Sequence, residues 1–270
     1  MTGPPALPQA HSLMPLLTDR RRLKHAARGC MRTTSSPGAD GMTWREYRAG
    51  LDERLQHLAA RLQNGTWRPG PTREITWDSD GKTLTVAIPM VEDRIVHRAL
   101  RHCAEPILEA HAYPDWLFGW RLGRTRVHAL TYAQQHGITS PCWVADVDVT
   151  RATAGGTTEQ AVGWLAEWIH DGSFLHLVRQ ALDGLPSPLA PGSGLTPLLT
   201  NLRLLQVDRA LAAHTVVRVT DNYAIFCSDR DAAHTAYQML TEALAVHDLA
   251  PHPRKSKVWR PNFEDLFLAG

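Results

Sequence analysis

Three aspartates occupy positions in the sequence at which their carboxylates could act together in catalysis. Asp146 and Asp148 lie near the end of the apolar segment CWVADVDV, and Asp221 lies between two apolar runs in VVRVTDNYAIF. Carboxylates from two separate strands are what a two-metal phosphoryl-transfer site requires, because paired Mg²⁺ ions stabilise the attacking and the leaving oxygens. Acids at strand ends are common, so these three residues do not by themselves identify such a site.

Two predicted elements position these aspartates. Residues 141–149 read as a short apolar strand that carries Asp146 and Asp148. Residues 216–219 and 223–227 read as a hairpin with Thr220-Asp221-Asn222 at its tip. A hairpin of this kind exposes the carboxylate at its tip while its flanks pair in a sheet.

The surrounding pattern is mainly helical. Apolar residues recur every three or four positions after Thr43-x-x-Glu46, which has the spacing of a capping box, and predict one amphipathic helix up to about Leu62. Arg73–Thr76 and Leu84–Ile88 are predicted to be two strands joined by a turn. Further helices are predicted over residues 13–29, 91–111, 125–136, 158–169, 175–182, 196–213 and 230–247. Helices mixed with a small antiparallel sheet predict an α+β fold.

Composition limits the class of protein. The chain has 270 residues and 43% hydrophobic content, enough for one large domain or two small ones. Mean hydropathy is −0.27, and no apolar run reaches the roughly 18 residues that a membrane span needs. Four cysteines lie far apart without a CxxC pair, so neither a zinc site nor a disulfide framework is expected. We therefore predict a cytoplasmic protein without a membrane partner.

Positive charge is clustered, although the net charge is only +2. Such clusters could bind phosphates, or they could be solvated surface, and the sequence leaves both readings open. The three clusters are Arg20, Arg21, Arg22, Lys24 and Arg28; Arg121, Arg124 and Arg126; and Arg254, Lys255, Lys257 and Arg260.

Eight segments resemble motifs of the group II intron and retron reverse transcriptases and follow the same order along the chain. Reverse transcriptases are RNA-directed DNA polymerases. The resemblance as a whole runs from about residue 13 to residue 270. They are SPGADGMTW (36–44), AIPMVEDRIVHRAL (87–100), PILE (106–109), FGWRLGR (118–124), GLTPLLTNLRLLQVD (194–208), RVTDNYAIF (218–226), Lys255-Ser256 and FLAG (267–270).

This resemblance implies the fingers and palm of a right-hand polymerase, with a small antiparallel palm sheet flanked by helices. We expect a disordered segment over residues 1–12, a fingers-like helical region with a β-hairpin over 13–135, and a palm over 136–270. The sequence ends at the turn that begins the family's primer grip. A thumbless protein is therefore expected, in which a protein partner could supply the function of the thumb.

The resemblance also implies site residues. Asp146 and Asp221 correspond to the catalytic carboxylates, and Asp148 is an alternative to Asp146 because the alignment can slip by two. Mg²⁺ or Mn²⁺ would be bound by Asp146, Asp148, Asp221 and Asn222. The expected partner is RNA or DNA, and the residues expected to bind nucleotide or nucleic acid are Lys82, Arg121, Arg124, Gly192, Arg218 and Lys255.

Several family residues are altered. Asn222 stands where the family has a second acid, and Pro191-Gly192 where it has a glutamine-glycine turn. Arg151 or Ala152 occupies the region of an aromatic residue that supports the sugar. We therefore predict a metal-dependent, template-directed nucleotidyl transferase with degraded motifs. The alternatives are an inactive protein that binds nucleic acid or a partner, and a cleft repurposed for another reaction.

Overall fold

The computed structural model describes residues 12–33, 36–79, 82–136, 142–262 and 265–266, without the side chains of residues 77, 79 and 82–84. The described elements are α1 (Met14–Leu17), α2 (Arg20–Thr33), α3 (Trp44–Arg48), α4 (Leu51–Gln63), β1 (Arg73–Ser79), β2 (Lys82–Ile88), α5 (Val91–His111), β3 (Leu117–Phe118), α6 (Arg126–His136), β4 (Trp143–Thr150), α7 (Thr158–Ala166), α8 (Gly172–Asp183), α9 (Thr196–Asp208), a 3₁₀ turn (Arg209–Leu211), β5 (Thr215–Val219), β6 (Asn222–Cys227), α10 (Arg230–Ala245), β7 (Ala250–Pro251) and β8 (Lys257–Trp259). The predicted α+β class is confirmed.

The chain forms two compact units that are interleaved in sequence. The first unit comprises residues 1–112 and 153–199, and the second comprises 113–152 and 200–270. This grouping differs from a single boundary after residue 135, because β3 pairs with β5 and so joins the second unit. Of the segment predicted to be disordered, residues 1–11 lie outside the described residues.

The first unit is built from helices and the hairpin β1–β2. Thr43 and Glu46 cap α3 reciprocally, as their spacing predicts. The predicted long amphipathic helix is divided, because Gly50 has a φ of 78° between α3 and α4. Fully buried leucines of α2, α4 and α5 form its core: Leu23, Leu55, Leu58, Leu62 and Leu100.

Arg94 joins two of the family-like segments inside the first unit. Its guanidinium donates hydrogen bonds to the carbonyl oxygens of Ser36 at 2.8 Å and Pro37 at 2.9 Å. Its Nε donates to the carbonyl oxygen of Pro89 at 3.0 Å. The loop before α3 is therefore attached directly to the start of α5.

The second unit is a sheet between helices. The strand order is β3-β5-β6-β4-β7, with β8 also paired to β4. All pairs are antiparallel except β3–β5. Ala145, Val147 and Val149 pack on one face with residues of α9 and α10, whereas Val144 packs on the other face with residues of α6. Because side chains alternate along a strand, Asp146 and Asp148 share the face of Val144.

Within the described part of the chain, no helix combines the length and the apolar content that crossing a membrane requires.

Candidate active site in the second unit

The tip of the β5–β6 hairpin presents Asp221. Val219 pairs with Asn222, so Thr220 and Asp221 form the connection, and Thr220 has a left-handed φ of 56°. Two backbone bonds attach the tip to neighbouring strands. The amide of Thr220 donates to the carbonyl of Phe118 at 3.0 Å, and the amide of Val149 donates to the carbonyl of Asp221 at 3.0 Å. The predicted hairpin is confirmed, but Thr220 and Asp221 are only partly exposed, and Asn222 is buried in β6 instead of lying at the tip.

The register of β4 against β6 selects the aspartate that lies beside this tip. Asp148 pairs with Asn222, the residue next to Asp221. Asp146 pairs with Ala224, two positions further from the tip. The structure therefore places Asp148 nearer than Asp146 to Asp221, whereas the sequence-based expectation named Asp146 first and Asp148 as its alternative.

In the acid pair of Asp148 and Asp221, the charge of Asp148 acts on Asp221. The pKa of Asp221 is raised, first by burial and further by the negative charge of Asp148, while the hydroxyl of Thr220 and the charge of Lys255 act in the lowering direction. The hydroxyl of Thr220 donates to the Asp221 carboxylate at 2.9 Å. Two carboxylates close enough to raise a pKa are an arrangement that can hold a cation.

Lys255 lies against this acid pair. Its ammonium is 3.0 Å from Oδ2 of Asp148. The turn that carries Lys255 is bonded to the backbone of the same aspartate, since the amide of His252 donates to the carbonyl of Asp148 at 2.7 Å. The amide of Asp148 donates to the hydroxyl of Ser256 at 3.2 Å. Lys255 was predicted to contact phosphates, and here its partner is a carboxylate.

Asp146 is engaged by a separate set of groups. The indole nitrogen of Trp259 donates to Oδ2 of Asp146 at 3.1 Å. The ammonium of Lys257 lies 3.5 Å from the centre of the Trp259 ring. Burial raises the pKa of Asp146, whereas the bond from Trp259 and the charge of Lys257 act in the lowering direction.

The donor set can be compared with what a metal needs. Asp148 and Asp221 supply two carboxylates, and hard divalent cations prefer oxygen ligands of this kind. Across the described ranges, no group of three or more His, Cys, Asp or Glu side chains forms a potential metal site. Asn222 is buried, and its amide nitrogen lies 3.4 Å from Oδ1 of Asp221. The acid pair therefore offers two of the oxygen ligands that a divalent cation needs, and one of the two carboxylates already contacts the Lys255 ammonium.

Arg218 belongs to the interior of the second unit. It is 0% exposed and donates to Oδ2 of Asp208 at 2.7 Å, to Oδ1 of Asn201 at 3.0 Å and to the carbonyl of Thr220 at 2.8 Å. The hydroxyl of Tyr223 donates to Oδ1 of the same aspartate at 2.7 Å. The predicted contact of Arg218 with nucleic acid is at odds with this burial. Its guanidinium instead holds the residue that precedes Asp221.

The two other predicted arginines stabilise the loop after β3. Arg121 is buried, and its guanidinium donates to the carbonyls of Pro114 at 2.9 Å and Leu117 at 2.8 Å. This placement is also at odds with a direct contact to phosphate. Arg124 is partly exposed and donates to the carbonyl of Asp115 at 2.9 Å. Of the two, Arg124 keeps the better access to a ligand.

The two remaining predicted contacts belong to the first unit. Gly192 has a φ of 100°, and a Cβ added there would lie 2.1 Å from the carbonyl oxygen of Ala87. The amide of Ala87 donates to the carbonyl of Pro191 at 2.8 Å, so this turn is packed on β2. The side chain of Lys82 lies outside the described residues.

Sequence reasoning missed the contributions of Ser256, Lys257 and Trp259. The alternate spacing of Lys257 and Trp259 in β8 is a signal that could have found these two residues, because every second residue of a strand faces the same way, whereas Ser256 lies before the strand. The partners of Arg218 carried no comparable signal, since Asp208 and Asn201 lie on α9, a helix that is buried along almost its whole length.

No family model matches the sequence. A comparison with curated proteins identifies a relative. Protein YkfC of Escherichia coli strain K12 is 28% identical over 220 residues, which cover 74% of this chain and 56% of that protein. The chain therefore spans little more than half the length of the curated relative that it matches.

Proposed function

We propose that this chain is a reverse-transcriptase-like protein of the fingers-and-palm type, and that its second unit performs metal-dependent nucleotidyl transfer on a nucleic-acid template. One observation carries the proposal. The tip of the β5–β6 hairpin brings Asp221 beside Asp148 of the adjacent strand, and the negative charge of Asp148 acts on Asp221. Two strand-borne carboxylates at a hairpin tip are suited to phosphoryl-transfer chemistry.

Asp148 and Asp221 would hold Mg²⁺ or Mn²⁺ in this function. When bound, the cation would supply Lewis-acid stabilisation of the charge that develops on the phosphoryl oxygens. The contribution of the chain itself is to hold the two carboxylates in place. Arg218 does this for the tip through the carbonyl of Thr220, and pairing with β6 does it for Asp148.

Nucleic acid is the proposed partner, and it would be RNA or DNA. The described structure supports this proposal through exposed arginines on α2, which are Arg20, Arg21, Arg22 and Arg28. Arg254 and Arg260 near the end of the chain are also exposed. Guanidinium groups bind phosphates well because they present several donors in a planar arrangement.

Primer extension on RNA and DNA templates, with Mg²⁺ or Mn²⁺, tests the proposal. We expect extension that falls by at least about 100-fold in Asp148→Asn and in Asp221→Asn, because each change removes several kcal/mol of transition-state stabilisation. Asp146→Asn is the matched control on the same strand and should retain most of the extension. Loss in Asp146→Asn with retention in Asp148→Asn would instead assign the site to Asp146.

A second candidate function is nucleic-acid or protein binding by a catalytically silent palm. It is favoured by the ion pair of Lys255 with Asp148 and by Asn222 in the place of a second acid. In that case, primer extension would be absent from the folded wild-type protein, while a fluorescently labelled oligonucleotide would still bind. Absence of both extension and oligonucleotide binding would contradict the proposed function and leave only the protein-binding form of the second candidate.

A further inference from the structure

The acid pair of the second unit already has a positive partner. The side chain of Asp148 is 13% exposed and that of Lys255 is 38% exposed, with 3.0 Å between Nζ and Oδ2. The positive charge of Lys255 also acts on Asp221. An ammonium in this position uses the same carboxylate that a divalent cation would use, and it has the same sign of charge.

The turn that delivers Lys255 is anchored at Asp148 itself. The carbonyl of Asp148 accepts from the amide of His252 at 2.7 Å, and its amide donates to Ser256 at 3.2 Å. The amide of Ser256 donates back to the carbonyl of His252 at 3.0 Å, which closes the turn. A charged group held on an anchored turn acts at a high effective concentration, so it competes well against an ion from solution.

Lys257 provides an internal contrast. It lies two residues further along the chain, at the start of β8, and its ammonium lies over the ring of Trp259 at 3.5 Å from the ring centre. Its charge acts on Asp146, whereas the charge of Lys255 acts on Asp221. The two neighbouring lysines carry equal charge but interact with different aspartates.

We propose that Lys255 is the internal counter-ion of the Asp148–Asp221 acid pair, and that a divalent cation binds this pair only by displacing the Lys255 ammonium from Asp148. The inference rests on the proposed use of these two carboxylates as cation ligands. It adds that the cation affinity of the free protein is set by the competing lysine and not by the carboxylates alone.

Titration of the full chain with Mn²⁺, followed by electron paramagnetic resonance without nucleotide or nucleic acid, tests the inference. We expect Lys255→Met to bind Mn²⁺ about tenfold or more tightly than the wild type, because one competing charge is removed. Lys257→Met removes an equal charge nearby and should leave the affinity unchanged. Lys255→Arg keeps the charge and should bind as weakly as the wild type.

The outcomes separate this inference from the proposed function. Mn²⁺ that binds the wild type and Lys255→Met equally, and is lost in Asp148→Asn, would overturn the counter-ion and leave the proposed ligands standing. Equal tightening in Lys257→Met would also overturn it, since the effect would then be one of general charge. Failure of both the wild type and Lys255→Met to bind Mn²⁺ would overturn the inference together with the proposed function. Circular dichroism checks the fold of each variant, and Lys255→Gln replaces Lys255→Met if that protein does not fold.

Discussion

Arg94 in the first unit and Arg218 in the second both place a guanidinium in the protein interior, and they differ in what accepts its hydrogen bonds. Arg94 donates to three backbone carbonyls, those of residues 36–37 and of Pro89. Arg218 donates to the carboxylate of Asp208, which is itself only 4% exposed. One arginine therefore joins neutral loops, whereas the other is half of a buried ion pair.

The pKa values of the two arginines reflect this difference. Burial lowers the pKa of Arg94, whose hydrogen bonds go to the backbone carbonyls of Ser36, Pro37 and Pro89. Burial is the largest influence and acts to lower the pKa of Arg218, but the charge and hydrogen bond of Asp208 together with the nearby Tyr223 outweigh it, and the net direction is upward. Loss of Arg94 would therefore leave backbone carbonyls without a donor, whereas loss of Arg218 would leave the carboxylate of Asp208 without its cation.

The largest effect is therefore expected for Arg218→Met. This change leaves the buried carboxylate of Asp208 without its cation, so the free energy of unfolding should fall by about 3–5 kcal/mol. Urea denaturation followed by tryptophan fluorescence measures it. The double variant Arg218→Met/Asp208→Leu is the control and should recover much of the loss, because no charge then remains buried. A loss below about 1 kcal/mol in the single variant would contradict a buried ion pair.

Arg94→Met should have a smaller effect on stability. Three hydrogen bonds to carbonyls are lost, each contributing about 0.5–1.5 kcal/mol, so a loss of about 2 kcal/mol is expected. Arg94→Lys should restore only part of it, because an ammonium does not reproduce the planar set of guanidinium donors. The same urea series measures both variants. A loss as large as that of Arg218→Met would remove the distinction between the two arginines.

The smallest effect, and one that depends on pH, is expected at Asp93. Burial raises the pKa of Asp93 to about 6, although the amide of Gly70 donates to its carboxylate. Because the folded pKa lies above the unfolded value of 3.8, the folded protein binds more protons between these pKa values. The contribution of Asp93 to stability is therefore present below the unfolded pKa and is lost as pH rises through about 6.

Asp93→Asn tests this direction. The variant cannot ionise but can still accept the bond from Gly70, so it should be more stable than the wild type at pH 7 by about 1–2 kcal/mol. At pH 4 the two proteins should be nearly equal. Thermal unfolding at both pH values measures the difference. A wild type that becomes more stable relative to Asp93→Asn as pH rises would show that the carboxylate is stabilised in its charged form.

Strong local patterns predicted individual elements closely. The predicted helix over residues 91–111 and the capping box of Thr43 and Glu46 are both confirmed. These features depend on spacing along the chain, which the sequence displays directly. The predicted continuous helix after Thr43 is wrong at Gly50, where a positive φ interrupts it. A single glycine within an apolar pattern did not reveal whether the helix tolerates it or ends there.

The same limit applies to charged residues. Arg121 and Arg218 were read as contacts for nucleic acid because they stand within basic or family-like segments, and both are buried. The acceptors that neutralise Arg218 come from α9, separated from it in sequence by ten residues or more. No local sequence pattern indicates that these side chains are in contact. The burial of the Arg218 charge could therefore not be predicted from residue spacing.

The sequence by itself determined an α+β chain, the hairpin with Asp221 at its tip and a neighbouring strand that carries two acids. The tertiary structure determines that Asp148 lies beside the tip, that the Lys255 ammonium contacts it, and that Arg121 and Arg218 are buried. The physical reason is that Asp146 and Asp148 are two residues apart and share a face in any register. Only the pairing of β4 with β6 and β8 distinguishes them, and it depends on contacts between segments about 75 to 110 residues apart.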